Sequence, residues 1–139
     1  MAQDVLFYVL SSHTPEARMQ FLAKLLNKVW SERRNCDVRF ADLSEAQRFD
    51  LQLWDYRPSS FIPHAVAQEM PAPIQLYGAQ ITQSCGDVLV NLHPELASNI
   101  MSYQRNIEIL DQSEYLIEMG RIRWKQYKKQ GLEPTVHKL

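Results

Sequence analysis

Three times in this chain a short apolar run gives way, within a few residues, to the signature of a helix start. Residues 4–10 hold Val5, Phe7, Tyr8 and Val9 in a nearly continuous stretch. Such a run fits a strand covered on both faces, central in its sheet, better than one with a wet side. Thr14 then offers a side-chain oxygen to the first helical N–H groups, and Pro15 stands at the first helical position, where a missing N–H is harmless. Residues 36–41 repeat the pattern, followed by Asp42 with Glu45 three residues on, the spacing of a capping box. Residues 107–110 lead in the same way to Asp111 and Glu114. Strand, helix, strand and helix in this order predict an α/β fold, a Rossmann-like three-layer domain with a mainly parallel central sheet. One domain over residues 1–139 fits the length.

The first helix is expected to run to about residue 33, with Met19, Leu22, Leu26, Val29 and Trp30 as its apolar stripe and Asn35 as a left-handed stop. The second runs to about Trp54, with Ala46, Phe49 and Leu53 inward. Trp54 falls roughly 80° from that stripe, so it is offered sideways. Residues 74–77 read as a weak strand and 87–92 as a stronger one. His93-Pro94-Glu95 opens a helix to about residue 103. The last helix begins near residue 114 and reaches about 130, where Gly131 fits the left-handed stop and Pro134 prevents resumption.

Several chemistries find no support. The first strand–helix turn, residues 10–15, has no glycine to let backbone approach a pyrophosphate, and no GxxxxGK[ST] loop occurs. His13, His64, His93 and His137 are scattered without zinc-site spacing and read as surface, turn or loop residues, with His64 bonding to nearby backbone. No catalytic residues, metal or cofactor are expected. Cys36 and Cys85 make no disulfide framework. No signal-like segment or apolar run of roughly 20 residues is present, so a cytoplasmic protein without membrane contact is expected. The net charge is −1, which gives no global basic field for nucleic acid. The balance is uneven, however. From residue 121 onward Arg121, Arg123, Lys125, Lys128, Lys129 and Lys138 face only Glu133, a local +5, which leaves −6 for residues 1–120. A basic end on an acidic protein suggests an anionic partner docking at one place.

The stretch from Leu53 to His64 carries the most specific pattern. Trp54, Tyr56 and Phe61 stand among Arg57-Pro58 and Ile62-Pro63, and each proline forces an extended or turn conformation. A loop is expected from about residue 54 to 73, too aromatic for a disordered linker. Its rings either close the edge of the core or form a platform for a partner. Leu53-Trp54, Arg57-Pro58 and Phe61-Ile62-Pro63-His64, in this order and spacing, resemble the χ (chi) subunit of the bacterial DNA polymerase III clamp-loader assembly. The resemblance extends to Phe7-Tyr8, to residues 87–92 and to the final Arg-aromatic-Lys-x-Tyr helix.

In that helix Arg121, Trp124, Lys125 and Lys128 share one face at i, i+3, i+4 and i+7, while Tyr115, Met119 and Ile122 read as core. The face suits an acidic peptide ending in an aromatic residue, although Trp124 packed at the sheet edge with its cations snorkelling is the plainer alternative. By resemblance, this helix binds the acidic C-terminal tail of single-stranded-DNA-binding protein through Arg121, Trp124 and Lys125, with Lys128 added from the same face. Where the family carries a basic residue a turn earlier this chain has Ile117, and Lys128 or Arg123 would compensate. The resemblance also implies that Trp54, Arg57, Pro58, Phe61, Ile62, Pro63 and His64 dock the ψ (psi) subunit. The chain would be a replisome-associated, non-catalytic bridge, a monomer alone and a heterodimer with ψ, with DNA contact only indirect. The alternatives are a small α/β nucleotide-handling enzyme and a chi-like adaptor whose aromatic loop takes a repair helicase.

Overall fold

A computed structural model of the chain describes residues 3–56 and 61–139. In chain order the elements are β1 (Asp4–Val9), α1 (Pro15–Ser31), β2 (Cys36–Arg39), α2 (Leu43–Trp54), β3 (His64–Val66), β4 (Ile74–Tyr77), β5 (Val88–Asn91), a 3-10 turn (Ile100–Ser102), β6 (Arg105–Leu110), α3 (Glu114–Lys129) and β7 (Pro134–Lys138). The strands form one sheet in the order β3-β4-β2-β5-β6-β1-β7, and every neighbouring pair is parallel. The sheet is thus more uniform than the expected mainly parallel one. β1 is interior but lies next to the edge rather than at the centre.

Alternation along the strands divides the core. Cys36, Val38, Ile74, Leu76, Val88, Val90, Ile107 and Ile109 meet Leu22, Leu25, Leu26 and Val29 of α1 and Ala46, Phe49 and Leu53 of α2. On the other face Val5, Phe7, Leu89 and Leu110 meet Leu116, Met119 and Tyr127 of α3, with Ala97, Ile100 and Tyr103 filling in. That second face also buries Asp37, Gln75, Asn91, Asn106 and Glu108, so its packing depends on polar partners.

Two of the helix starts form as their sequences imply. Thr14 Oγ1 accepts from Ala17 N at 3.2 Å. Asp42 Oδ1 accepts from Glu45 N at 2.8 Å, and Glu45 reaches back to Ala41 N at 3.2 Å. The third differs: Ser113 precedes α3, while Asp111 Oδ1 accepts from Ser113 N and Oγ. α3 ends as expected, with Gly131 at φ +84°. Gly131 N donates to Lys128 O and Leu132 N to Tyr127 O, the paired closure of a Schellman motif. α1 stops at Ser31, and Arg33 rather than Asn35 takes the left-handed conformation.

Four larger expectations are corrected. The loop expected over residues 54–73 contains β3, which pairs in register with β4, His64 opposite Ile74. Parallel neighbours usually need a crossover of about a dozen residues or more; here residues 67–73 suffice. Ala67 and Gln68 adopt positive φ, and the buried Gln75 side chain ties the return through Gln68 N, Met70 O and Ala72 O. β7 is a strand where none was expected, opening with Pro134, whose missing donor is tolerable at a strand start.

Residues 93–99 are not helical, because side chains occupy the carbonyls a helix would use. Arg123 Nη2 donates to His93 O at 3.2 Å and Pro94 O at 2.8 Å. Arg39 and Asn91 donate to Glu95 O at 2.7 and 3.0 Å. Finally, the inward face of α3 is Leu116, Met119, Gly120, Arg123 and Tyr127, and Tyr115 and Ile122 are exposed.

Candidate functional site

The two surfaces singled out by sequence lie on different elements. The first is built where α2 ends. Ala46, Phe49 and Leu53 pin α2 to the sheet, which turns Trp54 outward, 51 % exposed. Phe61 is 62 % exposed, and its ring lies 5.4 Å from that of Trp54, tilted by 33°. The indole also rests on His64, centroids 4.6 Å apart. His64 is a buried strand residue, not the loop or surface residue expected. Its Nδ1 sits 2.6 Å from Ile62 O, the local backbone bond expected of it. Its Nε2 is 3.1 Å from Asp50 Oδ1, in an orientation that makes no hydrogen bond. Ile62 fills the core.

The predicted residues therefore divide by role. Trp54 and Phe61 face solvent, Ile62 and His64 anchor the segment from below, and Pro63 is half-buried. Arg57 and Pro58 lie outside the described residues. Leu51, 68 % exposed one turn before Trp54, extends the apolar surface. Its i, i+3 relation to Trp54 was the available signal.

The second surface is the outer side of α3. Arg121, Lys125 and Lys128 are exposed, and Lys128 Nζ is 3.7 Å from Glu133. Trp124 is half-buried and meets Phe7 edge-on, centroids 5.5 Å apart at 68°. It packs at the sheet edge and still borders the cationic face. Ile117 is half-buried too.

Arg123 cannot supply a missing surface charge. It is 1 % exposed, and its Nη1 donates to Glu108 Oε1 and Oε2 at 2.8 and 2.9 Å. Tyr127 donates to the same carboxylate at 2.7 Å. Burial pushes the Glu108 carboxyl above its ordinary range, opposed by the Arg123 charge and the Tyr127 hydroxyl. One of the six cations counted in the basic end is therefore internal, and its role is to hold α3 on β6.

The two surfaces are well separated. α2 covers the β4–β3 end of one sheet face, and α3 covers β6 and β1 on the other. With strands about 4.8 Å apart, the five steps from β3 to β1 place roughly 24 Å between them along the sheet. Among the described residues there is no cluster of three or more metal-ligating side chains, and no helix is long and apolar enough to cross a membrane.

Comparison with known proteins adds independent findings. The family model described as DNA polymerase III chi subunit, HolC, matches residues 1–135. DNA polymerase III subunit chi of Pseudomonas aeruginosa is 29 % identical over 134 residues, covering 96 % of this chain and 94 % of that protein. The protein of the same name from Escherichia coli is 25 % identical over 137 residues, covering 93 % of each. Among solved structures, T4 UvsW aligns with a TM-score of 0.64 at 12 % identity, over 99 % of this chain and 41 % of that one. This likeness shows the α/β fold alone.

Proposed function

This chain belongs to the DNA polymerase III chi subunit family, whose work is DNA replication, and from that premise we propose that it is a non-catalytic bridge holding two partners at once. The aromatic surface around Trp54 and Phe61 docks the ψ subunit and so ties the chain to the clamp loader. The outer face of α3 takes the acidic, phenylalanine-ending tail of single-stranded-DNA-binding protein. The observation that carries this reading is the placement of the two surfaces at opposite ends and on opposite faces of one sheet. Neither partner would obstruct the other.

The chemistry of each surface fits its role. Exposed Trp and Phe in tilted ring contact beside a pinned helix end are preorganised, and aromatic anchors of this kind contribute about 2 kcal/mol or more each at hot spots. On α3, Arg121, Lys125 and Lys128 pair with carboxylates, and Trp124 offers its edge to a terminal ring. Exposed ion pairs contribute only about 0–1 kcal/mol each, so the tail contact is salt-sensitive and depends on the aromatic residue. The net charge of −1 suits DNA contact made through the partner.

The test uses two variants and two ligands. Phe61→Ala should abolish ψ capture and leave tail-peptide binding unchanged. Lys125→Glu should do the reverse, followed by titration with an acidic peptide ending in phenylalanine at low and moderate salt. Loss of both contacts in either folded variant would defeat the two-surface reading, as would peptide binding indifferent to its last residue.

A further inference from the structure

A hollow of about 610 Å³ opens where β1, β2, β5 and β6 end. His13 follows β1, Phe40 and Ala41 follow β2, Leu92 follows β5 and Asp111 follows β6, and all line it. In open parallel sheets the carboxyl ends of the strands are where ligands settle, at the point where successive crossovers part. That point lies here. From β1 the chain crosses by α1 toward β2 on one face, and from β6 it crosses by α3 to β7 on the other. The volume is within the range of small-molecule sites.

The lining mixes apolar and polar side chains. Met19, Phe40, Phe49, Leu92 and Leu116 supply the apolar walls. Among the polar lining residues, Arg18 Nε donates to Ile109 O at 2.9 Å, while its Nη2 is buried without a protein partner. Arg48 adds a second guanidinium with no hydrogen bond or ion pair to the protein among the described residues. The acids nearby are committed to structure: Asp111 Oδ1 to Ser113, and Glu45 Oε2 to Ala41 N. Asp111 and Glu45 offset the charge of the two arginines, so recognition here rests on unspent N–H donors rather than on net positive charge, which suits a single anionic group better than a polyphosphate. The unspent donors and the apolar walls together fit one anionic group attached to an aromatic or aliphatic body.

We propose that this hollow is a binding site for a small organic molecule with one anionic group, its carboxylate or phosphate seated at Arg18 and Arg48 and its apolar part between Phe40, Phe49 and Leu116. None of the residues lining it belongs to the two partner-binding surfaces, so its test is separate from that of the bridging role.

The probes are 3-phenylpropionate, phenyl phosphate and the neutral 3-phenylpropionamide, titrated to 10 mM into the ¹⁵N-labelled full chain. The expected result is saturable resonance shifts at Arg18, Phe49 and Leu116 with at least one anion. The amide should bind at least tenfold more weakly, and Arg48→Ala, at an exposed position, should weaken the anion several-fold without altering the fold. A preference for phenyl phosphate over the carboxylate would mark a phosphorylated ligand, and the reverse a carboxylic acid. No shifts at these residues, shifts centred elsewhere, or equal binding of amide and anion would overturn the proposal.

Discussion

Replacing Glu108 by Gln tests whether the second face is held by charge. Glu108 and Arg123 are both 1 % exposed, and Arg123 Nη1 spans both carboxylate oxygens. Gln keeps the shape and some hydrogen bonding but leaves a buried guanidinium uncompensated. Breaking such a pair costs about 3–5 kcal/mol. Unfolding entropy of about 2.1 cal/mol/K per residue gives about 0.29 kcal/mol/K for this length, so Tm should fall by about 10–17 °C. The assay is thermal unfolding by circular dichroism, with urea midpoints as a check. Removing both charges, Glu108→Leu with Arg123→Met, should recover part of the loss. Full recovery is not expected, because His93 O and Pro94 O would lose their donor. A cost below about 1 kcal/mol for Glu108→Gln would refute the argument and mean that burial already keeps this acid neutral. A double variant less stable than Glu108→Gln would also refute it.

Three further outcomes are expected. Asp42→Ala removes the cap on Glu45 N and should cost about 1 kcal/mol in urea unfolding. Gly78→Ala would place a Cβ 2.7 Å from Leu43 N, so it should cost about 1–3 kcal/mol and couple to Asp42→Ala in a double-mutant cycle, whereas strict additivity would argue against that contact. Burial lifts the Asp37 carboxyl above its ordinary range, more than the bonds from Tyr103 and Cys85 lower it. Its contribution is then complete below the unfolded value of about 3.9 and lost as pH rises through the folded one. Asp37→Asn should therefore gain on the parent chain as pH rises from 4 toward 7, and parallel curves would count against this.

Patterns confined to one element were legible in the sequence. Thr14-Pro15, Asp42 with Glu45, and Gly131 each involve neighbours within a turn, and each acts as its residue types dictate. What escaped is decided at long range. Residues 93–103 look helical until the Arg39 and Arg123 side chains, from other elements, take the carbonyls. β3 spans only His64–Val66, and its return depends on the side chain of Gln75. The periodicity of α3 allows two apolar stripes, and by spacing alone the one through Tyr115 and Ile122 reads as core. The true inward face includes Arg123, which hydrophobicity alone would place outside. At the aromatic surface, the outward turn of Trp54 was legible from helical spacing, while the exposure of Phe61 and the anchoring of His64 beneath the indole required the sheet.

The strand order also sets a schedule. β1 is made first, yet both its neighbours come from the far end of the chain: Leu6 lies opposite Ile107 and Thr135. During synthesis at roughly 5–20 residues per second, an apolar segment would wait on the order of 5–20 s for its first pairing partner. Closure of this sheet is a late, non-local event, and topologies of that kind fold slowly. Until β6 arrives, Val5, Phe7 and Tyr8 are the residues whose exposure a chaperone would meet first.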